Sequence, residues 1–370
     1  MIAGFSPKAT SLSKFFSFAG GVMQRSEKER LVGVLDGKTT DRAAVICPGG
    51  MMNAATTEVL RRIGKDVHSD SIAMAQTAVE VRRSTGFENF GVPFCMTIEA
   101  ECFKSRVDLG NESVEPRVLE YGMSSLTEAA ALPDPDPRKS GRIPVVLEAV
   151  SMLSKQDANV PVIGNLTGPI SLATSILDPI LFFRLLRKDS KGVHLFLDSL
   201  TNFLAGFARA QVEAGADIIS IADPSATGQI LGRDHFREFA APCLSRLVAE
   251  IRQTGARAIL HICGDTSPIF EELNRIRGAA FSFDSVVSMK KARAQIDGAP
   301  LMGNINTQLL HQAPSERVKR ATAGLIEQRV EIIAPACGLS MQTPLENLKA
   351  LTDTAKNPQA YLDMTGHDRT

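Results

Sequence analysis

The sequence predicts an α/β protein, a closed (β/α)8 TIM barrel, and three observations predict it. Eight short apolar runs rich in β-branched residues recur along the chain, and helical patterns separate most of them. The residues best suited to chemistry stand at the C-terminal ends of these runs, where barrels of this kind carry their sites. Continuous apolar strands alternating with helices indicate a parallel sheet covered on both faces. A doubly wound open sheet shows the same alternation, but eight is the number that closure requires. At 370 residues the chain exceeds an average domain, yet one barrel over 23–370 absorbs that length.

Residues 1–22 are amphipathic and rich in Ser, Phe and Gly. Two readings fit them: a helical extension that docks elsewhere, or an appendage ahead of a true start at Met23. An opening helix spans 26–36, with Gly37 as its C-terminal stop. Strands are expected at 43–47, 89–94, 160–165 and 217–222, then at 258–263, 280–284, 299–304 and 331–336. A long amphipathic helix covers 188–213, and Gly215 turns the chain into the next strand. Another covers 233–253, after Gly232 and with Asp234 as N-cap. The Pro-punctuated stretch 133–143 (LPDPDPRKSGR runs through it) has no helical period and reads as a solvated loop.

Composition excludes several function classes. The 41 basic and 41 acidic residues cancel, so no global field attracts nucleic acid or an anionic membrane. Trp is absent and Tyr scarce, which argues against a base-stacking surface. No apolar run approaches the roughly 20 residues that span a bilayer. Six cysteines lie scattered, without the dense spacing of a disulfide scaffold, and the N-terminal apolar patch is too short for a secretory signal. A cytoplasmic protein with reduced thiols is expected.

Those thiols lead to the chemistry. In LHICGDTSPI, His261 and Cys263 are two apart on a strand, so their side chains share one side. Gly264 then allows a tight turn beside an open site. Cys337, in APACGLSMQTPLENLKAL, holds the equivalent place after the last strand and is also followed by Gly. One His and two Cys suit zinc with the fourth tetrahedral position free, and no paired C-x-x-C knuckles close a structural site. The alternative is a core histidine with two buried, inert thiols. A thiol entering the open position of such a zinc loses its proton, and two thiolate ligands keep the ion electron-rich. The ligand set therefore leans toward sulfur alkylation rather than hydrolysis.

With these residues in hand, the chain resembles the methylcobamide:coenzyme M methyltransferase branch of the uroporphyrinogen decarboxylase superfamily. The likeness runs from about Glu27 to Leu351, through SEKERLVGVLDGKTTDRAAV, GVPFCMTIEAECF, GNLTGPISLA, ADPSAT, LHICGDTSPI, SFDSVVSMKKA, LMGNIN and APACGLSMQTPLENLKAL. The pair LHICG and APACG…TPLENL marks the zinc-dependent branch, while ICPGGMMN stands where decarboxylases carry an Arg-rich stretch. The resemblance implies zinc on His261, Cys263 and Cys337, a methylated corrinoid protein at the barrel mouth as partner, and a small thiol acceptor such as coenzyme M. It implies an acidic group at Asp284 that approaches the metal when the thiol is absent, or else holds a neighbouring loop. Glu99 and Glu101 are expected as partners of His261 or as structural ion pairs; Asp223 and Ser225 as cavity-lining or helix-capping groups. Asn304 and Asn306 are expected against the acceptor or the corrin edge, with turn chemistry as the alternative, and Gly164, Asn165 and Gly168 where the backbone approaches the cofactor. Asp265 departs from the Asn common among relatives and places a carboxylate near a sulfonate's path. Transfer to tetrahydrofolate, a metal-free decarboxylase and a non-enzymatic corrinoid store are the competing readings.

Overall fold

The computed structural model describes residues 25–64, 66–131 and 133–358. The expected 1–22 extension and His367 lie outside them. The strands are β1 (Ala44–Val45), β2 (Phe90–Val92), β3 (Arg106–Asp108), β4 (Arg117–Glu120), β5 (Val162–Thr167), β6 (Ile218–Ala222), β7 (Arg257–Ile262), β8 (Ala279–Phe283), β9 (Leu301–Ile305) and β10 (Ile332–Pro335). Eight of them form one parallel sheet in the order β1-β10-β9-β8-β7-β6-β5-β2, and each expected strand falls on one of these eight. Chain order thus runs around the sheet, with β1 beside β10.

The seam between β1 and β2 is joined partly by side chains. The Asn89 amide donates to Cys47 O at 2.9 Å and accepts from Cys47 N at 3.0 Å, as a strand neighbour's backbone would. Glu88 N donates to Val45 O at 2.9 Å. Gly91 permits the approach: a Cβ there would lie 1.9 Å from Pro48 O.

Period-two alternation divides the apolar residues into two cores. Ala44, Ile46, Ile163, Ile218, Ile259, Ala280, Met302, Ile332 and Ala334 form an inner cluster, distinct from the larger one between sheet and helices. Leu31 and Val34, from the helix Glu27–Leu35, join that inner cluster next to strand-start residues. Burying these two side chains contributes about 1.5–3 kcal/mol each and closes the N-terminal end of the barrel. A capping box between Ser26 and Glu29 starts this helix. Polar chemistry is left to the C-terminal end.

Two local expectations change, and one hairpin is added. The long helix runs Ser190–Ala214, capped by Asp189 and stopped at Gly215, because Pro179–Lys188 forms a helix of its own. Asp234 caps nothing: a helix already begins at Gly228 under a Thr227 cap and is broken at Gly232 (φ 72), leaving Asp234 exposed beside Arg237. Strands β3 and β4 pair as an antiparallel hairpin that no apolar run announces, since both are short, charged at their ends and contain no buried residue. The 133–143 stretch is coil and turn up to Ile143, where a helix begins. Among the described residues no single helix is long and apolar enough to cross a membrane.

Candidate metal centre

β7 carries Ile259 and His261 on its inward side, and Cys263 follows at the strand's C-terminal end. The His261 Nε2 lies 3.3 Å from Cys263 Sγ, which lies 3.3 Å from Cys337 Sγ. All three donor atoms fall within 4.8 Å of one another. His261 is fully buried, whereas both cysteines are partly exposed, so the imidazole backs a sulfur pair that faces the opening. Tetrahedral zinc with 2.3 Å bonds to sulfur would set two sulfurs roughly 3.8 Å apart, so the pair needs to open by only about half an ångström. One nitrogen and two sulfurs are the donor chemistry zinc takes, and these residues fit it.

The sulfurs are electrostatically unequal. The hydrogen bond between the two sulfurs and the His261 imidazole beside them hold the Cys337 thiol well below its usual range despite burial. Cys263 is pushed up in turn, first by that shared hydrogen bond and then by burial. The other thiols show the contrast. Burial pushes Cys102 up to about 12 and raises Cys47 and Cys243 as well. All six cysteines are free.

The group behind His261 is Ser282, not a glutamate. Ser282 is the register neighbour of His261 on β8, and its Oγ lies 3.0 Å from Nδ1. The hydroxyl donates onward to Met52 Sδ at 3.9 Å. Its oxygen therefore accepts the Nδ1 proton, an assignment from the hydrogen-bond network, and the Nε2 lone pair points to the sulfurs. Glu99 is buried elsewhere, accepting from Thr167 N (2.8 Å) and Thr167 Oγ1 (3.0 Å). Its carboxyl is raised by that burial. Glu101 pairs with the buried Arg142 at 2.5 Å. The signal that finds Ser282 is strand parity: residues 280, 282 and 284 share the inward face of β8 and its continuation.

The remaining expected residues brace the mouth. Asp284 Oδ2 accepts from Gly264 N at 3.0 Å, and Oδ1 takes Ser285 Oγ and Val286 N. The carboxylate thus fastens the turn behind Cys263. Asn304 donates to Asp284 O and Val287 O, while Asn306 caps the helix Thr307–Gln312 and donates to Ser285 Oγ. Asp223 is buried at the N-terminus of the helix Pro169–Ile176, accepting from Ile170 N, Ser171 N and Ser171 Oγ. Burial pushes its carboxyl up to about 6. Ser225 bonds to Ser171 and Thr174 in the same corner. Asn165 donates to Pro48 O and Val92 O, both at 2.9 Å. The close approaches that Gly164 and Gly168 allow are made by protein groups: a Cβ would meet Gln211 Oε1 at 2.3 Å and Asp223 Cβ at 2.3 Å respectively. His68, His194, His235 and His311 belong to no donor cluster among the described residues.

Fold and site together define a TIM-barrel protein with a thiol-rich candidate metal site at its C-terminal mouth. A family model described as uroporphyrinogen decarboxylase (URO-D) matches residues 26–358, and the chain belongs to that family. It is similar to "Methylcobamide:CoM methyltransferase MtbA" of Methanosarcina acetivorans, 30% identical over 335 residues that cover 89% of this chain and 97% of that protein. It is also similar to "Methylcobamide:CoM methyltransferase MtaA" of Methanosarcina barkeri, 29% identical over 88% of this chain and 96% of the relative. Among solved structures, a methyltransferase from Methanosarcina mazei superposes with a TM-score of 0.83 at 29% identity, covering 90% of this chain and 98% of that one. The branch expected from LHICG and APACG is the one these relatives represent.

Proposed function

We propose that this chain is a methyltransferase that takes a methyl group from a methylated corrinoid on a partner protein and passes it to the sulfur of a small thiol, coenzyme M or a chemical relative. The observation that carries the reading is the convergence of His261, Cys263 and Cys337 at the barrel mouth, with no fourth His, Cys or carboxylate in that cluster among the described residues. These three residues would hold zinc, and zinc held there supplies a positive charge that favours thiolate over thiol in an entering sulfur. The two cysteine sulfurs donate enough charge to keep such an entering sulfur nucleophilic. Ser282 keeps the imidazole proton on Nδ1 and so keeps Nε2 available. Asp284 and Asn304 hold the flanking turns in place. The full-length likeness to proteins named as methylcobamide:CoM methyltransferases supports the same activity. Free thiols throughout fit a reducing cytoplasm.

Asp265, beside the ligand turn, accepts from Ser267 N at 2.9 Å, and its bonds to Ser267 hold its carboxyl below the usual range. It therefore stays ionised at neutral pH and disfavours an anionic acceptor tail nearby. The test is metal analysis of purified protein followed by methylcobalamin demethylation with coenzyme M, uncharged thiols and tetrahydrofolate. One zinc per chain and thiol-dependent demethylation are expected. Metal-free protein with undiminished turnover would refute the reading.

A further inference from the structure

We propose that the outer face of the helix Pro179–Lys188 is a docking surface for the corrinoid-carrying partner, and that the partner meets it with an acidic patch. The inference rests on the methyl-transfer reading above and deepens it by naming where, and with what charge, the donor protein binds.

The stretch RLLRKDSK places Arg184, Arg187, Lys188 and Lys191 within eight residues, and all four are exposed. None of them forms an ion pair among the described residues. Exposed arginines nearby are matched: Arg138 with Glu213, Arg209 with Glu250 and Arg246 with Asp198. The two acids of the stretch are engaged as caps, Asp178 with Leu181 N and Asp189 with Gly192 N, both at 3.0 Å. Ile180, 71% exposed, shares a helix face with Arg184, Arg187 and Lys188. An uncovered apolar side chain thus stands beside a cluster of uncompensated cations.

Folding does not account for this arrangement. Arg184 faces Arg187 and Lys188 at i+3 and i+4, where like charges repel. Lys191 sits in the first turn of the helix Ser190–Ala214, where the helix dipole disfavours a cation. Only Arg187 and Lys188, in the last turn of their own helix, gain from the dipole. An anionic surface laid over the face would offset the repulsion and select against basic partners.

The fold ties this face to the mouth. The helix Pro169–Ile176 starts at Asp223, whose N donates to His261 O at 2.9 Å. The chain then bends by 115° into Pro179–Lys188. These helices are about 12 and 15 Å long, and the bend keeps the cationic face within roughly 25 Å of the Asp223 corner. The helix that follows sets Phe203 against Phe103, past the C-terminal end of β2, with ring centroids 4.9 Å apart. Residues 190–202 therefore rise on the mouth side. A small domain is about 30 Å across, so one seated over Cys263 and Cys337 reaches the cationic face. Free methylcobalamin does not.

The test presents the zinc-loaded full chain with two methylcobalamin-loaded corrinoid domains, one acidic and one basic at the surface, and with free methylcobalamin. Wild type should bind the acidic domain more tightly than the basic one, with an affinity that falls as salt is raised. In Arg184→Glu/Arg187→Glu, Kd and KM for the acidic domain should rise roughly tenfold or more, while KM for free methylcobalamin stays at the wild-type value. Arg184→Gln/Arg187→Gln, which puts no carboxylate at the helix C-terminus, should show a smaller rise at an unchanged urea midpoint. An unchanged Kd for the acidic domain in both variants would overturn the proposal, as would an equal loss with free methylcobalamin. Tighter binding to phosphatidylglycerol vesicles than to the acidic domain would overturn it in favour of a membrane surface. A wild type that demethylates neither the domains nor free methylcobalamin removes the methyl-transfer reading and this inference with it.

Discussion

Replacing Ser282 by Ala tests the logic of the centre most directly. The hydroxyl holds the His261 Nδ1 proton at 3.0 Å in a fully buried setting, with Ser282 only 1% exposed. Without it, the metal-free protein has an escape: the imidazole moves its proton to Nε2 and donates to the nearby sulfurs. Metal binding closes that escape, because Nε2 must present its lone pair and the proton returns to an Nδ1 with no acceptor. A buried donor left unpaired costs about 1–3 kcal/mol, and nearly all of that cost falls on the metal-bound state. At about 1.4 kcal/mol per tenfold, zinc affinity should fall roughly 10- to 100-fold, the range usual for lost partners of metal-bound histidines. The assay is zinc competition against a chromophoric chelator, with urea unfolding of the metal-free protein as control. Ser282→Thr, which keeps a hydroxyl, should retain most of the affinity. If Ser282→Ala binds zinc as tightly as wild type, the proposed proton assignment is wrong.

Further outcomes follow from the same geometry. Cys337→Ser should weaken zinc binding by at least about 100-fold, since structural zinc sites draw roughly 10–16 kcal/mol from their few bonds; equilibrium dialysis measures it, and retained stoichiometric zinc would contradict the ligand set. Asp223, with a carboxyl raised to about 6 in the fold, favours the folded state most at low pH and loses that contribution as pH rises through its folded value. The shift from the ordinary 3.8 corresponds to about 3 kcal/mol, so the stability of wild type relative to Asp223→Asn should decline between roughly pH 4 and 6. Urea titrations across that window read the trend, and a flat difference would refute it. Gly91→Ala should break the β1–β2 seam, because its Cβ would fall 1.9 Å from a backbone oxygen; Asn89→Ala, which strands both polar groups of Cys47, should cost about 2–4 kcal/mol. Chemical denaturation of both variants measures this, and near wild-type midpoints would show that the seam is held by other contacts.

Much was legible in the residues alone. Eight apolar runs and the helical stretches between them specified a closed parallel barrel, because hydrophobic periodicity is a local property that burial enforces. The candidate metal trio was legible for the same kind of reason: His261 and Cys263 are two apart on one strand, and Cys337 repeats the strand-end, Gly-followed pattern. Their meeting followed from the barrel, which brings all strand ends to one rim. The partners of these residues were not legible, since a pairing register between distant strands leaves no mark in composition. Glu99 stands in a plausible place by sequence, yet the fold spends it on Thr167, while Ser282 acquires its role only from lying opposite His261 on the adjacent strand. Gly164, Gly168 and Asn165 show the same division. Their types signal close approach, but only tertiary packing decides that Gln211, Asp223 and the Pro48 loop make it. Residue type and spacing thus determined the architecture and the candidate metal donors, whereas the three-dimensional fold decided what surrounds them, because contacts across the barrel depend on register and loop path rather than on nearest neighbours in the chain.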